Sequence, residues 1–281
     1  MAISVLTNTA SLNAQRNLSS TQASLAASIG RLSSGMRINT ASDDAAGLGI
    51  SENLKADIRS LAQAQRNAND GISLTQVAEG SMNDMTGIVT RMRELAVQSA
   101  NQTIGSTERG YITTEYNDLK SEINRISSVT EFNGQKLLDG SASAGLVFQV
   151  GMRATTNDRL SMVVTKLTTS TLGSTSLHIA SAKLDTVTNA RASLAVFDKA
   201  IEQLSTARSK VGSVQNRMQI TISNLSVAQE NLSAANSRIR DVDVAAESAN
   251  LTKSQILSQA GLAVLAQANQ LPSAAVSLLR G

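Results

Sequence analysis

The side chains best suited to catalysis or metal binding are few and isolated in this sequence. The chain has one histidine, His178, and no cysteine. Metal binding or acid–base chemistry at His178 would need a companion ligand or orienting group, and no second histidine or thiol exists. Asp241 and Asp243 are spaced by two, so on a helix they point to different faces. We therefore predict that the protein is not an enzyme and has no catalytic, metal or cofactor site.

Two further carboxylates, Asp43 and Asp44, stand just before the glycine-containing stretch "GLGIS" at 47–51. A phosphate-binding loop would need a preceding strand and a third glycine, and both are missing here. The same residues suit the start of a helix, because Ser and Asp side chains cap free backbone N–H groups. We predict that Ser42 or Asp43 caps a helix beginning near Ala45.

Apolar residues recur in steps of three and four over most of the chain, with runs beginning at Leu18, Leu54, Ile112 and Val211. This spacing is typical of helices packed as coiled coils. Aromatic residues make up 2% of the chain and Pro272 is the one proline, which suits long helices joined by many small aliphatic contacts. The pattern predicts a mainly α fold of long antiparallel coiled-coil helices, at 45–101, 107–130 and about 180–240.

The residue composition and the spacing of apolar residues change between residues 131 and 178. The stretches "LVFQVG", "RLSMVV" and "TSLHIA" are short, rich in β-branched residues and partly alternating, and "TTNDR" is placed to turn a hairpin. The dipeptides Asn133-Gly134 and Asp139-Gly140 mark turns before them. We predict a small β-hairpin region at 131–178, where the helical arms fold back.

Both ends of the chain are almost free of charge. No charged side chain occurs from Gln255 to Leu279, and Arg16 is the one charge in the first thirty residues. A helix in water normally keeps one charged face, and two paired uncharged ends would each still expose an uncharged face. Further copies of the same chain could cover those faces, and head-to-tail contacts that do not close produce filaments.

Composition argues against two other kinds of partner. The net charge is +3, 17% of residues are charged, and no cluster of Lys and Arg stands out, so we expect no nucleic-acid binding. The longest low-polarity run, from Ala260 to Ala266, is far shorter than the roughly 20 residues of a membrane helix, so we expect no membrane insertion. The first residues also lack the basic and apolar regions of a signal peptide.

Several long stretches resemble bacterial flagellin. They are "LSSGMRINTASDDAAGLGIS" (32–51), "RMRELAVQSAN" (91–101), "EFNGQKLLDG" (131–140) and "ANLTKSQILSQAGLAVLAQANQ" (249–270), together with the final "SLLRG". The resemblance covers both helical arms. It implies a terminal coiled-coil domain, 1–44 with 241–281, that lines the filament core, and an inner rod domain at 45–240. The short β-region between the arms implies a minimal flagellin without variable outer domains.

The resemblance also implies partners and a location. The chain is expected to form a helical homopolymer, the extracellular filament, after export through the flagellar channel without a cleaved signal peptide. Expected helpers are an export chaperone and the cap and junction proteins. On the terminal stripes, seven residues are candidates for the polymerisation interface: Leu18, Leu25, Ile29, Leu257, Val264, Leu265 and Leu271.

The stretch "RMRELAVQSAN" is similar to the flagellin segment read by the host Toll-like receptor that senses flagellin. The resemblance places Arg91, Leu95 and Glu115 at receptor contacts. Arg91 and Leu95 are four residues apart, so on a helix they share a face.

Two other functions fit the heptads and stay open at this point. A hook–filament junction protein would share the terminal heptads. A cytoplasmic coiled-coil signalling bundle would share the composition rich in Ala, Ser and Gln.

Overall fold

The computed structural model describes residues 7–173 and 177–280, with side chains described as far as residue 270. Long helices dominate these residues, and the predicted mainly α fold with antiparallel helices and a small hairpin region is confirmed. The helices are α1 (Thr9–Ser34), α2 (Ala45–Ser99), α3 (Ser106–Val129), α4 (Val187–Arg240) and α5 (Val244–Arg280). The strands are β1 (Glu131–Phe132), β2 (Gln135–Lys136), β3 (Leu146–Gln149) and β4 (Arg159–Met162).

The chain divides into two compact units. We call Met1–Ala56 with Asn231–Gly281 the terminal unit and Asp57–Glu230 the central unit. The sequence placed the domain boundaries at 44 and 241, whereas the terminal unit also includes the first turns of α2 and the last turns of α4. Side-chain contacts explain the difference, because Ser51 Oγ donates to Asn236 Oδ1 at 2.8 Å and Arg240 pairs with the Glu52 carboxylate.

In the terminal unit, α1 and α5 run antiparallel. The start of α1 meets the far part of α5, where Asn8 Nδ2 donates to the carbonyl of Ala268 at 2.7 Å. The end of α1 meets the start of α5, where Arg31 lies 3.7 Å from Glu247. Gly35 ends α1 with a φ of +69°, a left-handed conformation that favours glycine.

A short backbone bridge joins the chain just after α1 to the chain just before α5. Met36 pairs antiparallel with Asp241. The amide of Arg37 donates to the carbonyl of Arg240 at 2.6 Å, and the amide of Val242 donates to the carbonyl of Gly35 at 3.1 Å. This bridge brings the inner ends of α1 and α5 together.

The start of α2 differs from the prediction by one residue. Asp44 is the cap, because its Oδ1 accepts from the amide of Gly47 at 2.8 Å. Asp43 instead holds the preceding loop through the amides of Asn39 and Thr40. Those two backbone donors, with the Thr40 hydroxyl, lower the pKa of the Asp43 carboxyl. The sequence could not tell the two roles apart, because either aspartate suits a cap.

In the central unit, α2 packs between α3 and α4. Arg91 of α2 pairs with Glu115 of α3, and Arg93 of α2 pairs with Asp198 of α4. Buried Leu, Met, Val and Ala side chains form the core, with an edge-to-face contact between Tyr116 and Phe197 at a centroid distance of 5.9 Å. Burial raises the pKa of Tyr116, whose hydroxyl donates to the carbonyl of Ile179 at 2.7 Å.

The predicted hairpin is confirmed between β3 and β4, which pair antiparallel with Leu146 opposite Met162. The connection between the two strands, residues 150–158, includes the first four residues of "TTNDR" and a short 3-10 segment at Thr156–Asp158, and Arg159 begins β4. The stretch "TSLHIA" was expected to be extended, but its described residues form a single bridge, Gly173 with His178.

The helix ends match the predicted ones within two residues, except at the start of α4. That helix begins at Val187 rather than near 180. Helix side chains hold the irregular residues before it: Ser99 Oγ donates to the carbonyl of Leu184 at 2.6 Å, and Ser193 Oγ to that of Lys183 at 3.0 Å. These bonds satisfy backbone groups that a helix would otherwise satisfy internally.

Two glycines in the first turns of α2 give a matched stability test. A β-carbon on Gly47 would lie 2.8 Å from Ile38 Cδ1 and against the capping carboxylate of Asp44, whereas one on Gly49 would meet nothing within 4 Å. We expect Gly49→Ala to stabilise the helix by up to about 1 kcal/mol. Gly47→Ala should destabilise it by about 1–3 kcal/mol, because Ile38 is buried and cannot easily yield.

Hydrogen exchange of residues 38–50 in the two variants and the wild type would measure both effects. Equal protection in both variants would contradict the packing of Ile38 against α2.

Candidate polymerisation and recognition surfaces

One face of α1 lies along one face of α5, and we call the facing residues the seam. They follow a step of three and four, as heptad packing requires, and are less exposed than their neighbours. Most are small, so the two backbones approach closely: a β-carbon on Gly261 would lie 3.3 Å from Leu18 Cδ1. The seam comprises Ser11, Ala14, Leu18, Thr21, Leu25, Ser28 and Leu32 of α1 with Glu247, Leu251, Ser254, Ser258, Gly261, Leu265 and Ala268 of α5.

Polar contacts tie the seam at both ends. Beyond its bond to Ala268, Asn8 caps α1 by accepting from the amide of Ser11 at 3.0 Å. Ser11 Oγ donates to Asn269 Oδ1 at 2.7 Å. At the other end Arg31 lies between two carboxylates, 3.7 Å from Glu247 and 4.0 Å from Asp43. The Glu247 carboxylate is nearly buried, and its Oε1 accepts no hydrogen bond.

Outside the seam, α1 and α5 expose apolar side chains. Ile29 of α1 is 52% exposed, and Leu257 and Val264 of α5 are 48% and 57% exposed. Leu257 and Val264 are seven residues apart, so they lie on one face of α5. Residues 255–279 carry no charge, so beyond Lys253, which lies four residues before Leu257, this face of α5 lacks the charged surface usual for a helix in water. Among the residues whose side chains are described, α1 and α5 expose four further large apolar side chains: Leu12, Val244, Ile256 and Leu262.

A charged cluster joins α2 and α3 on the surface of the central unit. Arg91 Nε donates to Glu115 Oε1 at 2.9 Å, and Arg91 Nη1 donates to Glu94 Oε2 at 3.0 Å. The Arg91 and Glu115 side chains are about half exposed. The hydrogen bonds that Arg91 donates to the two carboxylates, first to Glu115 and then to Glu94, raise the pKa of its guanidinium. The pairing holds Arg91 in one orientation while leaving it open to a partner.

Leu95 does not accompany Arg91 on the surface. Its side chain is 1% exposed and belongs to the core cluster with Met92 and Ile112. The prediction that the two residues share a face rested on their spacing of four. The two residues do lie four apart on one helix. However, α2 has neighbouring helices on two sides, so its buried face is wide, and the boundary between buried and exposed surface runs between Arg91 and Leu95.

The other chemical candidates remain isolated in the structure. His178 is held through its backbone, whose amide and carbonyl both bond to Ser181 Oγ. A cavity of about 580 Å³ lies between the stretch after β4 and α4, and apolar Leu167, Leu172 and Val211 line it together with Lys166 and Lys210. Over residues 7–173 and 177–280, no group of three His, Cys, Asp or Glu side chains could hold a metal ion. Within the same residues no helix is long and apolar enough to cross a membrane.

Comparison with known families decides the identity. A family model described as the bacterial flagellin N-terminal helical region matches residues 5–143, and one described as the C-terminal helical region matches residues 194–279. The chain belongs to the bacterial flagellin family. A flagellin of Halalkalibacterium halodurans is 45% identical over 275 residues, which covers 97% of this chain and 98% of the relative. A flagellin of Bacillus subtilis is 44% identical with the same coverage of both chains.

A solved structure described as a flagellar hook-associated protein of Vibrio parahaemolyticus shares the fold. It covers 71% of this chain and 100% of its own, with a TM-score of 0.58 and 14% identity. At that identity the likeness concerns the fold alone, so it lends no weight to a junction role.

Membership of the family settles the function in outline. The chain is a structural subunit that polymerises into the bacterial flagellar filament, which serves swimming motility. The filament belongs to the flagellum, outside the cell. The comparisons support neither the junction protein nor the cytoplasmic signalling bundle.

Within this flagellin six of the seven predicted interface residues fall into two groups. Leu18, Leu25 and Leu265 lie in the seam, where they pack within one chain, and Ile29, Leu257 and Val264 point outward. Leu271 lies outside the residues whose side chains are described. The predicted residues did not include Leu12, Ile256 and Leu262, which are also exposed, although their positions off the three-and-four seam spacing were a signal for an outward face.

The burial of Leu95 predicts a large effect on stability. Replacing Leu95 by alanine leaves a cavity in the core, so we expect a loss of about 2–5 kcal/mol in the free energy of unfolding. Val97, two residues away and 52% exposed, is the matched control. Val97→Ala should change stability by less than about 0.5 kcal/mol.

Urea unfolding followed by circular dichroism would measure both variants. A Leu95→Ala chain as stable as Val97→Ala would contradict the burial of Leu95.

Proposed function

We propose that the terminal unit provides the contacts by which subunits join, and that the outward apolar residues of α1 and α5 meet neighbouring copies. The observation that carries this proposal is the exposed face with Leu257 and Val264, on a helix whose residues 255–279 have no charge. Under the same proposal, residues 1–44 with 241–281 line the filament core and residues 45–240 form the rod outside it.

The energetics favour such a role. Fully burying an aliphatic side chain of this size stabilises by about 1.5–3 kcal/mol, and these residues start about half exposed. Each outward residue therefore contributes about 1 kcal/mol when a neighbour covers it. Several of them on each subunit, meeting several neighbours, give a useful association energy even after the cost of ordering.

The two groups of predicted interface residues have different roles in this proposal. Leu18, Leu25 and Leu265 pair the two ends of one chain. Ile29, Leu257 and Val264 contact other chains, and Leu12, Ile256 and Leu262 join them. A charge introduced at Leu265 would disturb the seam before it disturbed assembly, so Leu265 is a poor place to test polymerisation.

Val264 is the better place for that test. In Val264→Arg the new guanidinium would be buried between subunits without a partner, which costs several kcal/mol. We expect the variant to keep wild-type helix content and to fail to elongate filament seeds. Gln219→Arg is the matched control, because it adds the same charge to an exposed helix position of the central unit, outside the terminal helices that form the proposed interface.

Seed elongation followed by electron microscopy would distinguish the two variants. Normal elongation by Val264→Arg would remove this face from the interface, and failure of both variants would indicate a general effect of charge.

We also propose that this chain reaches the filament tip through the flagellar channel. An export chaperone would cover the uncharged ends before export, and cap and junction proteins would receive the subunit. The support is the uncharged surface of the terminal helices, which needs cover before neighbours are present.

A second proposed role is recognition by the host Toll-like receptor that senses flagellin, centred on Arg91 and Glu115. The favouring observation is that this pair is half exposed and holds a fixed geometry across two helices. An ordered arginine is a frequent centre of binding energy in interfaces. Leu95 also remains a proposed receptor contact, but its burial means that it acts first by supporting α2 beneath Arg91.

Substitution of the charged pair tests this role. In a reporter-cell assay with monomeric protein, Arg91→Ala and Glu115→Ala should each reduce the signal at least about tenfold, the loss of one strong contact. Arg125→Ala is the control, because Arg125 forms a similar exposed pair with Glu122 on α3. Equal signals from Arg91→Ala and Arg125→Ala would exclude Arg91 as a receptor contact.

A further inference from the structure

Packing alone does not fix the register of α1 against α5. Leu18 lies against Gly261, and counting from this contact sets Leu25 level with Ser254 and Ala14 level with Leu265. Each of these three levels pairs a leucine with a small residue. If α5 slides by seven residues, Leu18 becomes level with either Ser254 or Ala268, and a leucine again meets a small residue. Apolar contacts of this kind distinguish the registers weakly.

Glu247 makes the three registers unequal in free energy. Among the described seam residues it alone is charged, and its carboxylate is nearly buried with Arg31 at 3.7 Å. One slide places Glu247 level with Leu25, which buries the carboxylate against an apolar side chain. The other slide moves Glu247 about 10 Å along the axis from Arg31. In both registers the carboxylate loses its cation, which is strongly unfavourable for a buried charge.

The backbone bridge between Met36 and Asp241 lies just beyond this ion pair and fits the same register. Its residues are partly exposed, so water can replace its two hydrogen bonds if the chain shifts. Water cannot reach Glu247 Oε1 in the seam in the same way, because that atom is buried. The ion pair therefore discriminates between registers more strongly than the bridge does.

We propose that the Arg31–Glu247 pair sets the register of the α1–α5 seam and so fixes the height at which each subunit presents Leu257 and Val264. The proposal rests on the assembly role of those outward residues. A subunit in the wrong register would present them displaced by about 10 Å and would not match its neighbours. A buried polar pair that selects one register has precedent in coiled coils.

Disulfide trapping can read the register directly, since the chain has no cysteine of its own. The full chain would carry Leu18→Cys with one partner: Gly261→Cys for the observed register, or Ser254→Cys or Ala268→Cys for the two slides. A β-carbon on Gly261 would lie 3.9 Å from Leu18 Cβ, which suits a disulfide. The other two positions are about 10 Å further along the helix and out of reach.

Each reporter would be combined with Glu247→Leu, with Lys253→Leu as the control that removes an exposed charge from α5. Chains elongated onto filament seeds under reducing conditions, and soluble chains, would be oxidised, and crosslinks within one chain identified by mass spectrometry. With Glu247→Leu we expect the 18–261 crosslink to fall at least about threefold and a slid crosslink to rise by a similar factor. The double variant Arg31→Glu with Glu247→Arg should restore the observed register.

Identical crosslink patterns for Glu247→Leu and Lys253→Leu would overturn the proposal. So would a fall of the 18–261 crosslink with no slid product, since that outcome means general loosening rather than a change of register. Elongation of the reduced chains reports assembly separately. An unchanged register in filaments that elongate normally would exclude the register device and leave the polymerisation interface standing.

Discussion

The close packing of α1 along α5 is the contact on which the terminal unit depends. Small residues such as Gly261 let Leu18 reach the opposite backbone, so one narrow face of each helix is used within the chain. The rest of each helix then faces outward with several large apolar side chains and almost no charge. In a pair of this kind the facing surfaces are covered within the chain and the outer surfaces are not. Such a subunit needs neighbours to cover its outer surfaces.

The central unit has the same heptad spacing but a different packing arrangement. Here α2 has helices on two sides, and its buried face takes in Leu95, Met92 and Val89. Ion pairs such as Arg91 with Glu115 and Arg93 with Asp198 lie along its exposed edges and join it to both neighbours. Because most apolar surface is covered within one chain, this unit does not depend on further copies to bury its core.

Much of this architecture follows from the sequence, because heptad spacing and turn dipeptides are local signals. They locate the ends of α2 and α3 within two residues and the β3–β4 hairpin with its turn. The irregular residues before α4 could not be predicted, because Ser99, Tyr116 and Ser193 hold them by bonds that span long sequence separations or run from side chain to backbone. Spacing also shows which residues share a face without showing how many helices cover it, as Leu95 and Leu265 illustrate.

The distribution of charge follows the same division between the two units. The ion pairs of the central unit are exposed, where each adds little to stability but fixes how a surface is presented. In the seam the one charged position, Glu247, is buried, where an ion pair adds little net stability but strongly penalises any arrangement that separates it. The terminal helices of this sequence carry few charges apart from this ion pair. They therefore lack the charged surface usual for a helix in water, but the ion pair still favours one register of α1 against α5. Both properties are required when identical subunits must all present the same face.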